Sequence, residues 1–280
     1  MNRHPESWLH DNLERHWKSY RQRLRQCRHR ASEDAVHKLR TTTRRLLALI
    51  ELLQRLAPHP SLKRLRKAFK IQLDELDHLR DTQVMRQTIS DLVNERPLLA
   101  DFLHHLYIEE QRLLIVTGVD LNRFDQAKLR RPLQKAVDRC QRALAPQHID
   151  QRLMTVIDTL YQSALERHHH SDVTQPATLH ALRISIKKLR YSLELAQAVL
   201  PPLSESLLPK IQDYLNKLGD IQNARVLQHA LKTFYDADFP EALRHFLDSH
   251  TLINDYLMTH DAIHDFWRAD SQQFFPWETE

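Results

Sequence analysis

A cationic helical pattern that occurs twice, half a chain apart, most restricts what this chain can fold into. The segment VHKLRTTTRRLLALIEL (36–52) aligns with LHALRISIKKLRYSLEL (179–195) at an offset of 143. His37 falls on His180, Arg40 on Arg183, Arg44 on Lys187, Arg45 on Lys188 and Leu46 on Leu189. A second pair follows at an offset of 142, where LDELDHLRDTQVM (73–85) matches LNKLGDIQNARVL (215–227). Leu73, Leu76, Leu79 and Val84 then meet Leu215, Leu218, Ile221 and Val226. Two motifs in one order at nearly one offset point to a duplicated domain, since the period is too long for a solenoid unit. The expected organisation is a single domain over 1–280, with internal halves of approximately 1–145 and 146–280.

Both copies are helical. Apolar residues recur at a period of 3.6 throughout, and only 2 glycines stand among 280 residues. Sheet-rich folds need φ > 0 turn positions that so few glycines cannot supply, and no Gly-rich phosphate loop can be built. The pattern predicts helices at about 6–30, 34–56, 61–79, 81–94, 98–116, 124–144, 148–168, 176–199, 204–218, 221–235, 240–258 and 260–268. Pro58, Pro60, Pro97, Pro146, Pro176, Pro201, Pro202 and Pro240 fit these limits. Ser32 with Asp34, and Thr174 with Thr178, suit helix starts. Long helices with short connectors imply an all-α fold of two pseudo-symmetric antiparallel bundles.

Each repeated helix has two faces. With 100° per residue and His37 at zero, Arg40, Thr41 and Arg44 lie within roughly 60° and Arg45 at about 80°. Leu39, Leu46, Leu49, Ile50 and Leu53 take the opposite side. In the second copy His180, Arg183, Lys187 and Tyr191 share a face, Lys188 flanks it, and Leu182, Leu189 and Leu193 oppose it. Residues 179–191 carry His180, Arg183, Lys187, Lys188 and Arg190 with no acid. Like charges one turn apart each cost a few tenths of a kcal/mol. Such a ridge expects an anion, although a charge run on one helix is also what a solvated face looks like.

Bulk charge sharpens the contrast. Residues 1–145 hold 29 Lys and Arg against 18 Asp and Glu, a net of +11, and the remainder holds 12 against 18, a net of −6. The second ridge is therefore basic inside an acidic half. Elsewhere, Lys67 and Lys70 on the third helix, and Lys210 on its counterpart, are candidates for extending the site. Lys128, Arg131, Lys135, Arg139 and Arg142 form a further stripe, opposite Leu129, Leu133, Val137 and Cys140. Its role stays open between a solvated face and an auxiliary anion or partner surface, as does that of Arg21, Arg25 and Arg28.

Other chemistries find little support. No apolar run approaches the ~18 residues of a membrane helix, and MNRHPESW has no signal core. Cys27 and Cys140 read as two packed thiols in a reducing cytoplasm. His168, His169 and His170 diverge by about 100° each, which disfavours a shared metal. Asp74, Glu75, Asp77 and Asp81 are close in sequence, in reach of Mg²⁺ in principle, but read more simply as ion-pair and helix-end residues. No catalytic triad, Cys/His pair or carboxylate cluster stands out. The expectation is a protein with no catalytic residues, no resident metal and no cofactor.

The motif H-x-x-R-x-x-x-[RK]-[RK]-L followed by an L-G-x-h-x-[DN]-x-x-V-like turn (h apolar), present twice, resembles the CHAD family, the conserved histidine α-helical domain. The resemblance spans about residues 7 to 268. It implies two helical bundles whose basic residues line a central cleft or channel, and binding of inorganic polyphosphate. By motif position, His37, Arg40, Arg44, Arg45, His180, Arg183, Lys187, Lys188 and Arg190 would face that channel, with Tyr191 beside them. Leu47 stands where the family often has Arg, opposite Arg190. Asp77 stands where the second copy has Gly219, and the Asp of the turn is Asp81 in the first copy but Asn223 in the second. Without an alternating E-x-E-x-K strand of a fused tunnel enzyme, the domain is expected to stand alone.

The implied function is a non-catalytic binding or targeting module for polyphosphate bodies. The expected site is cytoplasmic, at polyphosphate granules, beside granule or phosphate-metabolism proteins and away from membranes. Two alternatives belong to other classes. A nucleic-acid or other polyanion binder would want aromatics among its cations, and only Tyr191 lies on a ridge. An enzyme on phosphate chains would want an acidic metal site. Histidine in the ridges would make affinity rise on acidification through the ordinary histidine range.

Overall fold

The computed structural model describes residues 7–143, 149–172, 175–200, 205 and 207–235. These form eight α-helices: α1 (Trp8–His29), α2 (Glu33–Leu56), α3 (Pro60–Leu92), α4 (Ala100–Arg123), α5 (Ala127–Ala143), α6 (Ile149–His169), α7 (Pro176–Ala196) and α8 (Leu207–Tyr235). A 3₁₀ turn, Pro97–Leu99, precedes α4, and there is no strand among the described residues. The helices expected at 240–258 and 260–268, the helix-start candidate Thr174, and the breakers Pro146, Pro201, Pro202 and Pro240 lie outside the described residues.

Local chemistry sets the helix ends. Ser32 caps α2, its Oγ accepting from the Ala35 amide at 3.3 Å. Pro60 occupies the first turn of α3, where a missing N–H costs nothing, and His59 Nδ1 accepts from the Ser61 amide at 3.2 Å. Asp125 Oδ1 accepts from the Ala127 amide at 3.0 Å, so α5 starts at Ala127 rather than 124. Arg28 is fully engaged in structure: its Nε donates to Leu121 O at 2.9 Å and its Nη2 to Phe124 O at 2.6 Å, closing the orphan carbonyls of α4. Likewise Trp8 Nε1 and Asn12 Nδ2 donate to Leu195 O, at 2.5 and 3.2 Å, where α7 ends.

Two expected breaks are absent. The spans 61–79 and 81–94 form the one 33-residue helix α3, and 204–218 and 221–235 form the one 29-residue helix α8. The residues that looked like turns are helix-interior groups serving a neighbour. Asp77 binds two arginines, and Gly219 is the surface on which a third lies. A lone glycine costs a helix about 1 kcal/mol against alanine and does not end it. The same holds at Gly118, which α4 passes on its way to Arg123, beyond the expected limit of 116.

The chain divides into two compact units, Met1–Asp158 with Tyr191–Leu200, and Thr159–Arg190 with Pro201–Glu280. In the first, α1 packs on α2, α4 and α5, α2 on α3 and α5, and α3 on α4 and α5. Its core holds Leu13, Leu24, Leu39, Leu46, Leu49 and Leu79, each fully buried. At about 1.5–3 kcal/mol for each buried aliphatic side chain, such stripes hold the helices together. An aromatic run crosses the core: Trp17 to Tyr20 at 5.6 Å, Tyr20 to Phe69 at 5.5 Å edge-on, and Phe69 to Phe124 at 6.4 Å. The Tyr20 hydroxyl donates to Gln72 Oε1 at 2.8 Å, satisfying the one polar atom of a buried ring. In the second unit Leu182, Ile186 and Leu189 of α7 and Leu215, Leu218 and Leu231 of α8 are buried. Cys27 and Cys140 are buried free thiols, pushed by burial up to about 11 and about 12.

Candidate anion-binding ridges

The first ridge lies on α2, and part of its charge is answered from within the protein. Its leucines face the core, which turns His37, Arg40, Arg44 and Arg45 outward. Arg40 is nevertheless only 8% exposed, because α3 crosses it. Its Nε donates to Asp77 Oδ1 at 2.8 Å, and its Nη2 lies 2.5 Å from the same oxygen. Arg44 Nη2 stands 3.8 Å from that carboxylate. Arg45 turns aside, its Nε 3.8 Å from Glu194 Oε2. Burial and the neighbouring Arg44 hold the Arg40 guanidinium below the usual range against the pull of Asp77; it stays charged. Asp81, whose side chain reaches solvent, has its carboxyl raised by the surrounding protein, with Arg40 opposing.

His37 departs from expectation. It is exposed, but partial desolvation and the charges of Arg80, Arg40 and Arg44 lower its pKa below 6.5. In the ligand-free protein it takes up a proton less readily than an unperturbed imidazole. The sequence reading missed Arg80 because it placed that residue in the gap between two supposed helices. On the continuous α3 it stands near His37 and donates from Nη1 to Glu33 Oε1 at 2.6 Å.

The second ridge lies on α7. His180 is exposed, while Arg183, Lys187, Lys188, Arg190 and Tyr191 are half-buried. Leu179, Leu182, Ile186 and Leu189 are buried on the other side. The guanidinium of Arg183 lies close against Gly219 of α8: a Cβ there would sit 3.2 Å from Nη2, 3.7 Å from Nε and 3.9 Å from Cζ. The position that carries the Asp77 carboxylate in the first motif is thus bare backbone in the second. Asp220, the next residue, has its carboxyl raised by burial, with Arg183 pulling it down. From residue 176 to residue 192 α7 has no acid.

The secondary candidates separate. Lys67 is exposed on α3, and Lys70 holds Asp74, its Nζ 2.9 Å from both carboxylate oxygens. Lys210 is half-buried on α8. On α5, Lys128 pairs with Asp125 at 3.3 Å and Arg142 Nε donates to Asp138 O at 3.2 Å; Arg131 and Lys135 are exposed and Arg139 half-buried. Leu133, Val137 and Cys140 are buried as expected. The acids at 74, 77 and 81 lie in mid-helix rather than at helix ends. Among the described residues, no group of three or more His, Cys, Asp or Glu is placed to hold a metal. His168 is buried, whereas His169 and His170 are exposed. No described helix is long and apolar enough to cross a membrane.

A family model for the CHAD domain matches residues 11–232, most of the chain, and the protein belongs to that family. A solved structure with the same fold is that of the CHAD domain from the plant Ricinus communis. It superposes with a TM-score of 0.72 at 18% sequence identity, over 94% of this chain and 90% of that one. No curated protein matches the chain.

Proposed function

We propose that this CHAD-domain protein binds inorganic polyphosphate through the basic ridges on α2 and α7. The observation that carries this reading is the acid-free cationic face of α7, with Arg183 resting on Gly219. A phosphate chain is a flexible string with about one charge per unit, so it asks for a row of donors rather than one pocket. His180, Arg183, Lys187, Lys188 and Arg190 supply that row over about 15 Å of helix. Arg offers a planar fork to two oxygens and Lys a compact charge. On α2, a bound phosphate would compete with Asp77 for Arg40 and Arg44.

The duplicated motifs support an origin by internal duplication, with equivalent arginines meeting equivalent helix positions: Arg40 at Asp77, Arg183 at Gly219. We read the role as non-catalytic scaffolding or targeting to polyphosphate bodies in the cytoplasm. Time courses of phosphate release from a long chain are expected to stay at the no-protein background. Sustained release would turn the reading toward an enzyme.

The binding test is calorimetric titration with long-chain polyphosphate beside DNA of equal charge. Selective binding of polyphosphate, lost in Arg183→Ala/Lys187→Ala, supports the reading. Equal affinity for both polymers would reduce the ridges to a general polyanion surface.

A further inference from the structure

The end of α1 and the start of α2 border a shallow surface depression, open to solvent and of about 570 Å³, lined by Arg23, Arg25, His29, Arg30, Asp34 and Lys38. This corner shares no residue with the ridge on α7, so a ligand could occupy it whether or not that ridge binds polyphosphate. A step of 100° per residue brings positions 22, 25, 26 and 29 of α1 to one side, while Leu24 and Cys27 are buried on the other. The corner is well held. The Arg30 amide donates to Gln26 O at 2.9 Å, the Val36 amide to Ser32 O at 2.9 Å, and Ser32 Oγ accepts from Ala35.

Four permanent cations face one carboxylate, and that carboxylate is engaged: Lys38 Nζ is 2.6 Å from Asp34 Oδ2. Arg23 Nη1 donates to the neutral Gln26 Oε1 at 2.9 Å, so its charge is not answered there. The side chains of Arg25 and Arg30 make no hydrogen bond or ion pair among the described residues. No Phe, Tyr or Trp lines the depression, so it offers a nucleobase no ring to stack on.

We propose that this corner is a separate binding site for a short oligophosphate, held by the guanidinium groups of Arg23, Arg25 and Arg30. Arginine forks grip pairs of non-bridging oxygens, and a short chain concentrates several negative charges within the reach of three arginines. The probe is sodium tripolyphosphate, titrated by calorimetry into the full chain, with circular dichroism to check folding. Arg25 and Arg30 are exposed, so their replacement leaves the core intact.

Arg25→Ala/Arg30→Ala is expected to lose about one equivalent of bound tripolyphosphate, or to weaken it at least about tenfold. Arg25→Lys/Arg30→Lys is expected to keep most of the binding, and Arg183→Ala/Lys187→Ala all of this site. The proposal is overturned if the wild-type chain binds no tripolyphosphate. It is equally overturned if the folded Arg25→Ala/Arg30→Ala variant titrates like wild type, or if binding is lost only with the α7 variant.

Discussion

At the scale of single residues, a cation's availability depends on what faces it from the next helix. Arg40 and Arg183 occupy the same motif position, yet the first meets the Asp77 carboxylate and the second the backbone of Gly219, with Asp220 the next residue. Replacing Asp77 by Asn removes the competing charge and keeps most of the shape. Polyphosphate affinity is expected to rise several-fold, read by titration, because Arg40 and Arg44 are released toward the ligand. Stability is expected to fall by about 1–3 kcal/mol, read by urea denaturation, since a charge-assisted bond to a buried guanidinium is lost. Arg40→Ala is the poorer probe of binding, because it strips a partner from Asp77 inside a helix contact.

His16 gives a residue-level handle on pH. Burial, with Arg15 and Arg45 nearby, lowers it to about 4. The unfolded chain takes up a proton on this imidazole near pH 6.5, the folded chain only near 4. Stability from this group is therefore complete above about pH 6.5 and is lost as pH falls toward 4, by up to about 3 kcal/mol. His16→Gln is expected to flatten that slope in denaturation curves taken across pH 4–7. An unchanged slope would assign the acid sensitivity elsewhere. His37 works in the other direction on binding. A bound anion raises its lowered pKa, so polyphosphate affinity rises with acidification.

At the scale of helices, periodicity was a good guide to faces and a poor one to ends inside a long helix. The leucines opposite each ridge are buried where a 3.6 period puts them. The false breaks in α3 and α8 arose because Asp-rich and Gly-containing stretches resemble turns when seen one chain segment at a time. Their partners, Arg40, Arg44 and Arg183, are dozens of residues away in the chain, and no local pattern names them. The same limit hid Arg80, and it let Arg28 pass for a surface cation when it closes α4. Position 219 carries the sharpest test at this scale. Alanine there meets only the far end of a flexible side chain and gains helix propensity, so Gly219→Ala is expected to be neutral or slightly stabilising. Gly219→Leu is expected to displace the Arg183 guanidinium and weaken polyphosphate binding about tenfold, with the helical circular dichroism retained. Unchanged binding in that variant would remove Arg183 from the contact.

At the scale of the whole molecule, the all-helical class was legible from the 3.6-residue period and the scarcity of glycine, and the family from the doubled motif, whose His, Arg and Leu positions recur in register. Net charge was a blunter guide. The first 145 residues carry most of the positive excess, yet Asp77, Glu33 and Glu194 take up several of the cations there. The acidic remainder holds the ridge whose helix has no acid through its first four turns. Local arrangement outweighs the sum of charges, since screening confines exposed interactions to about 10 Å at 0.1 M salt.

The most direct measurement of the central claim is a calorimetric titration of wild type and Arg183→Ala/Lys187→Ala with long-chain polyphosphate at two salt concentrations. Wild type is expected to bind tightly and to weaken steeply with salt, as counter-ions are released from the chain. The variant is expected to bind at least about tenfold more weakly, a loss of about 1.4 kcal/mol or more, with a shallower salt dependence. A folded variant with wild-type affinity and wild-type salt slope would contradict the account and leave the α7 ridge a solvated helix face.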